Sequence, residues 1–216
     1  VSLYELENRL EEAGVPLVLL ARKRRESPSQ YHVTCEGKKA FLDIAIRHLS
    51  EIGCRSVGMG WFRYSHTPVE EQEITANTLP DICREVGMET RSEWMPPIVL
   101  NVEEQVREKH GFELVEYLQR LAHLPEAFIV TDEVLCRGVL HALLHYDIRL
   151  PRDLKLITKA TRHVSLPYYL PVTRVEYDVE ELAQKAAGMM RALINGEEPL
   201  TKEVILDGTL VRGATT

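Results

Sequence analysis

Apolar residues fall along this chain in two alternating rhythms. Leu3, Leu6 and Leu10 are spaced as on one face of a helix, Ser2 with Glu5 reads as a capping box, and Gly14 stands where a C-terminal cap belongs. The run Val15-Pro16-Leu17-Val18-Leu19-Leu20 is too short for a helix and is flanked by breakers, which predicts a strand buried on both faces. From Lys38 to Ile52 the helical spacing returns in Phe41, Ile44, Ala45, His48, Leu49 and Ile52, and Gly53 ends it. Ser56–Phe62 predicts a strand, Glu70–Val86 a helix that Pro80 kinks or restarts, Pro97–Val102 a strand, and Glu103–Ala122 a helix broken or weakened near Gly111. Ala127–Val130 is another buried strand, Glu133–Tyr146 a helix with Leu135, Val139, Ala142, Leu143 and Tyr146 on one face, and Leu154–Thr158 a further strand. An irregular stretch from Ala160 to Val172 precedes a helix that opens on Asp178 with Glu181 and runs to Asn195, stopped by Gly196. Glu203–Asp207 and Thr209–Arg212 read as two short strands around Asp207-Gly208.

Strands alternating with helices specify βα units, and hence an α/β fold with parallel sheet and helices on both faces. No Gly-, Ser- or Pro-rich linker separates independent domains, and no internal repeat is present. In open α/β sheets ligands sit beyond the carboxyl ends of the strands, which directs attention to the residues just after Leu20, Phe62, Val102, Val130 and Thr158.

Composition narrows the class. Of 216 residues, 44% are hydrophobic and 27% charged, which excludes disordered, collagen-like and low-complexity chains. No apolar run approaches the roughly 18 to 20 residues that span a bilayer, so no membrane partner is expected. The formal charge of −7 gives no general affinity for phosphate backbones. Cys35, Cys54, Cys83 and Cys136 lie far apart without a C-x-x-C pair, as reduced thiols do. The opening Val1-Ser2-Leu3-Tyr4-Glu5 shows no secretory signal, so a cytoplasmic location is expected, and a start at valine suggests a fragment.

Candidate chemistry is sparse. His141 and His145 are spaced i, i+4 as zinc ligands are, but they share the polar stripe of Arg137 and no third ligand accompanies them. Gly58-Met59-Gly60 lacks the third glycine of a dinucleotide loop, since Arg63 stands there. No G-x-S-x-G elbow or catalytic triad emerges, so neither an enzyme, nor a cofactor, nor a metal is expected.

Specific strings are more informative. Pro125-Glu126-Ala127-Phe128-Ile129-Val130-Thr131-Asp132, then Cys136-Arg137-Gly138-Val139, His141-Ala142-Leu143 and Ile148-Arg149-Leu150-Pro151-Arg152-Asp153-Leu154, follow one another in an order that resembles the lactose/galactose-repressor (LacI/GalR) family of transcription regulators. Pro16-Leu17-Val18, His48-Leu49 with Ile52-Gly53 and Arg55, Pro171-Val172-Thr173 and the closing Leu210-Val211-Arg212-Gly213-Ala214-Thr215 extend the resemblance over nearly the whole chain. The resemblance implies a periplasmic-binding-protein type I-like fold, with two parallel-sheet α/β subdomains and a ligand cleft between them. It implies that residues 1–53 and 171–200 form a partial N-terminal subdomain and 54–170 with 201–216 the C-terminal one. The helix-turn-helix, the hinge helix and the first part of the N-terminal subdomain would precede Val1, so DNA would be contacted only through that absent part. Implied partners are a small-molecule, carbohydrate-like effector and a second copy in a homodimer; a solute-binding protein of a sugar transport system shares the fold and is the alternative.

The same comparison maps the cleft. The family's ligand-gripping arginine falls on Thr75, its Asn-Asp pair on Thr131-Asp132, its Gly-Phe-Asp-Asp on Thr158-Lys159-Ala160-Thr161, with Ala160 replacing the clamping carboxylate, and its Asp-Asn on Glu36-Gly37. Two polar clamps for a neutral sugar are thus absent, while Arg22, Arg63 and Arg162 bring positive charge to the rim, which favours an acidic or phosphorylated sugar-like effector. Arg22-Lys23-Arg24-Arg25 reads as a solvated loop after a strand or as a cleft-facing loop that draws in an anionic effector. Trp61 with Phe62 reads as core or as an apolar platform, and Asp132 as a helix N-cap or a ligand contact.

Overall fold

The computed structural model describes residues 3–20, 29–35, 37–64, 69–101 and 105–216, with the backbone alone for residues 3, 4, 38, 64 and 69–76. Packing divides the chain into two compact units: residues 1–36 with 177–208, and residues 37–176 with 209–216.

The first unit contains α1 (Leu3–Glu12), β1 (Val18–Leu19), β2 (Tyr31–Cys35), α6 (Val179–Ile194) and β8 (Glu203–Leu206), with the strands in the parallel order β1-β2-β8. Gly14 takes φ +66° after α1, the left-handed conformation a C-terminal cap requires. Asp178 Oδ1 accepts from the amides of Glu180 and Glu181, so the expected cap of α6 is formed. The expected two-face burial of the Val15–Leu20 run is not found. Only Val18 and Leu19 are strand, and Val15 and Leu20 are exposed, because among the described residues β1 lies at the end of its sheet, paired with β2.

The second unit contains α2 (Lys38–Glu51), β3 (Val57–Tyr64), α3 (Val69–Val86), a 3-10 turn at Ser92–Trp94, β4 (Pro97–Leu100), α4 (Glu108–Gln119), β5 (Ala127–Val130), α5 (Glu133–His145), β6 (Lys155–Thr161), β7 (Thr173–Tyr177, its last residue counted with the first unit) and β9 (Thr209–Val211). Its sheet runs β4-β3-β5-β6-β7-β9, parallel from β4 through β6 and antiparallel between β7 and β9. All four residues of β5 are fully buried, as expected of a central parallel strand.

Several expectations need correction. The boundary at residue 53 moves to 36, because α2 packs on α3. The boundaries at 171 and 200 move as well: β7 belongs to the second unit's sheet, whereas β8 pairs with β2 in the first. β8 and β9 are therefore not a hairpin; the chain passes between units at Gly208 and Thr209. Neither β2 nor β7 was anticipated. Leu154–Thr158 is in fact Lys155–Thr161, three residues longer at its carboxyl end. Pro80 sits inside a continuous α3, and Gly111 does not break α4 but lies buried near its start.

Helices α4 and α5 cross with their backbones in contact. A Cβ on Gly111 would meet the carbonyl oxygen of Leu135 and the amide nitrogen of Val139, and one on Gly138 the carbonyl of Glu108. Phe128, Leu135, Val139, Leu140 and Leu143 fill the core with Leu114, Val115 and Leu118. Gly138→Ala is expected to force the helices apart at a cost of about 3 kcal/mol. Gly188→Ala, in α6 with open space at the Cβ position, is expected instead to stabilise by about 0.5–1 kcal/mol. Urea denaturation of the two variants checks both signs.

Candidate functional site

The register of the second sheet places Gly60, Val130 and Thr158 side by side on β3, β5 and β6. Residues 61–63, 131–133 and 159–162 follow at the carboxyl edge, which brings together Trp61, Arg63, Thr131, Asp132, Ala160 and Arg162 of the expected site. Thr75 lies on α3, where only the backbone is described, and Arg22 and Glu36 lie outside the described residues.

Most polar groups at this edge are engaged by the fold. The amide and hydroxyl of Thr131 both donate to the Gly60 carbonyl, each at 3.1 Å. The hydroxyl of buried Thr158 lies 3.0 Å from the Val130 carbonyl and 3.1 Å from that of Lys159. Asp132 Oδ1 accepts from the amides of Val134 (2.8 Å) and Leu135 (3.0 Å), which is the N-cap of α5. Trp61 is 4% exposed and its indole donates to the Met95 carbonyl at 3.2 Å, so its surroundings are those of a core side chain. Ala160 requires correction: it lies within β6, not beyond it, and is buried, so it presents no polar group at the edge.

Two residues at this edge were missed. Glu133 Oε2 accepts from the Thr161 amide at 2.6 Å and ties the start of α5 to the end of β6. Lys159, half-buried, is a third cation beside Arg63 and Arg162. Both stood in the sequence, Glu133 directly after Asp132 and Lys159 one place before Ala160; the signal was adjacency to residues already selected.

Gly58 and Gly60 serve packing. A Cβ at Gly58 would lie 2.6 Å from the Trp94 carbonyl, and one at Gly60 would meet the Leu114 side chain. His141 lines a groove of about 330 Å³ beside the α4–α5 crossing with Glu108, Lys109, Phe112, Glu113 and Gly138, while the His145 ring lies edge-on to Tyr146 at 4.8 Å. Among the described residues no group of three His, Cys, Asp or Glu side chains is placed to hold a metal. Burial pushes the Cys83 and Cys136 thiols up to about 12, which leaves neither as a nucleophile.

Residues 46–216 match the model of the periplasmic binding protein-like domain family, and the chain belongs to that family. Within it, the chain is an effector-binding domain of the LacI type, in accord with the resemblance read from its motifs. The HTH-type transcriptional repressor MelR of Bacillus subtilis (strain 168) is 28% identical over 168 residues, which cover 77% of this chain and 47% of that protein. The HTH-type transcriptional repressor PurR of Actinobacillus pleuropneumoniae is 25% identical, over 68% of this chain and 41% of its own. The chain spans about half the length of the curated relatives it matches. Among solved structures, a sugar-binding LacI-family transcriptional regulator from Escherichia coli complexed with phosphate aligns with a TM-score of 0.77 at 18% identity, covering 100% of this chain and 73% of its own. The transcription regulator CcpA of Lactococcus lactis aligns with a TM-score of 0.77 at 16% identity, covering 98% and 73%.

The structural part played by Asp132 can be separated from any ligand contact. Asp132→Ala is expected to cost about 1 kcal/mol through loss of the α5 cap, and Asp132→Asn to retain most of that stability. Thermal unfolding of the ligand-free protein measures the difference.

Proposed function

We propose that this chain is the effector-sensing part of a LacI-type transcription regulator that works in the cytoplasm and contacts DNA through a helix-turn-helix outside this chain. The relatives that match its sequence are HTH-type regulators, which favours this reading over a transport-system solute-binding protein or an enzyme. Among the described residues, no helix is long and apolar enough to cross a membrane.

The effector is a small sugar-like molecule carrying an acid or phosphate group, and the observation behind this is the charge at the second sheet's carboxyl edge. Arg63, Lys159 and Arg162 stand there with Asp132 and Glu133, and each carboxylate already has an oxygen committed to backbone amides. A neutral sugar lacks the carboxylate clamp that Ala160 replaces, and a hydrogen bond to a charged group contributes roughly 1.5–3 kcal/mol, about ten- to a hundredfold in affinity. Thr75, Thr131 and Asp132 remain part of the proposed ligand-binding set, and Arg22 and Glu36 stay candidates from the sequence resemblance. A calorimetric panel pairing hexoses with their acid and phosphate forms is expected to show tighter binding of the anionic members and at least tenfold weakening in Arg63→Ala/Arg162→Ala. Tight binding of a plain hexose overturns the assignment.

The protein is further proposed to act as a homodimer. Leu6, Val15, Leu20, Ile194, Leu200 and Ile205 of the first unit are exposed, and pairing with a second copy would cover apolar surface of this kind. Light scattering is expected to give twice the chain mass at micromolar concentration; a monomer throughout that range refutes it.

A further inference from the structure

His48 takes no part in the site above, yet it is the side chain of α2 most closely joined to the end of the chain. It is 4% exposed, and its Nε2 lies 2.9 Å from Thr216 Oγ1. Thr216 Oγ1 is in turn 2.8 Å from Thr173 Oγ1, which accepts from the Gly213 amide at 3.0 Å. The Thr173 amide donates to Thr215 Oγ1, and that hydroxyl, fully buried, donates to the Leu156 carbonyl. Ala214 donates to the Pro171 carbonyl at 2.7 Å. Gly213 is required here, since a Cβ at that position would meet the same carbonyl.

This network lies where two of the chain's passages between units begin. β7 carries it out at residues 176 and 177, β9 receives it back at 208 and 209, and the two strands are hydrogen-bonded to each other through Arg174 with Val211 and Glu176 with Thr209. The third passage, at 36 and 37, opens α2, whose last turn holds His48. One chain of hydrogen bonds thus ties together, inside the second unit, the segments that start or end all three passages.

We propose that His48, Thr216 and Thr173 form a proton-sensitive latch on these segments, closed while the imidazole is neutral and released when it is protonated. His48 Nδ1 is buried without a hydrogen-bond partner among the described protein atoms. If Nε2 donates to Thr216, the added proton arrives on Nδ1, a buried atom with no acceptor. If Nε2 accepts from Thr216, the proton takes the lone pair that held the threonine. Both arrangements oppose protonation in the closed state.

Charge acts in the same sense. Burial holds the imidazole below its ordinary value, the Arg212 guanidinium adds to the depression, and Glu51 opposes it. Arg212 and Glu51 themselves pair at 3.4 Å, which reduces the relief that the carboxylate gives. The closed latch therefore binds fewer protons than the open one, so closure is complete above the ordinary histidine value and weakens as pH falls below it. The latch is independent of the identity of the effector.

Amide hydrogen exchange on the whole chain, followed by NMR from pH 5 to 8 and corrected for intrinsic rates, tests this. Protection of Gly213, Ala214 and Thr173 is expected to be constant above about pH 7 and to fall by up to about tenfold per pH unit below about 6.5, while Phe128 and Ile129 of β5 keep theirs. His48→Gln, neutral at every pH, is expected to flatten the profile, and Thr216→Val to lower protection without pH dependence. Protection that is pH-independent in the unmodified chain, a slope that survives in His48→Gln, or a parallel loss in β5 overturns the latch. Should either variant fail to fold, the His48 ring titration in the unmodified chain decides. A midpoint below about 6.5 coinciding with loss of Gly213 and Ala214 protection upholds it, and a midpoint at or above that value refutes it.

Discussion

The arrangement of the second unit depends on how closely α4 and α5 approach over the buried strand β5. Two glycines, Gly111 and Gly138, remove the Cβ atoms that would hold the helix backbones apart, and Phe128 spans the gap toward Gly58 and Gly60 on β3. Interiors at this density do not accommodate an extra methyl by small adjustments. The start of α5 is fixed as a result, and with it Asp132 as its cap and Glu133 as its tie to the end of β6.

That geometry explains why the carboxyl edge of the sheet has the charge it has. The side chains nearest the strand ends are hydrogen-bonded to backbone groups: Thr131 to the Gly60 carbonyl, Thr158 to the Val130 carbonyl, Asp132 to the first amides of α5, and Glu133 to the Thr161 amide. Positive side chains at the same edge are longer and further out in their strands, at Arg63 and Lys159 and beyond β6 at Arg162. An anion arriving there would meet cations while the acidic groups are turned partly to internal use.

Much of this fold was legible where a local rule suffices. Ala127–Val130 was readable as a buried strand from its unbroken apolar run, Asp132 and Asp178 as caps from their place before helical spacing, and Gly14, Gly53 and Gly196 as helix ends that adopt positive φ. β7 carried an inward-outward alternation in Thr173, Val175 and Tyr177 against Arg174 and Glu176, but it followed an irregular stretch and was passed over. β2 offered only Val33 as an aliphatic anchor; its second fully buried side chain is His32, whose Nε2 donates to the Ser29 carbonyl at 2.8 Å. The unit boundaries were illegible for a different reason. The apolar face of α2 fits a helix of either unit, and Asp207-Gly208 has the chemistry of a tight turn whether the next strand pairs beside it or in another sheet. For the site, the position of Ala160 inside β6 was not readable, because nothing local tells where a buried parallel strand stops.

The first unit's sheet has a consequence for how the protein is made. β2, at residues 31–35, pairs with β8, at 203–206, and α6 packs on β1 and β2, so this small layer is assembled from segments that residues 37–176 of the second unit separate. Contacts so distant in sequence form slowly, since loop closure must precede any gain from pairing. During translation β2 lacks β8 as a neighbour until residues 203–206 have been made. Through that interval the edge of β2 that receives β8 is open.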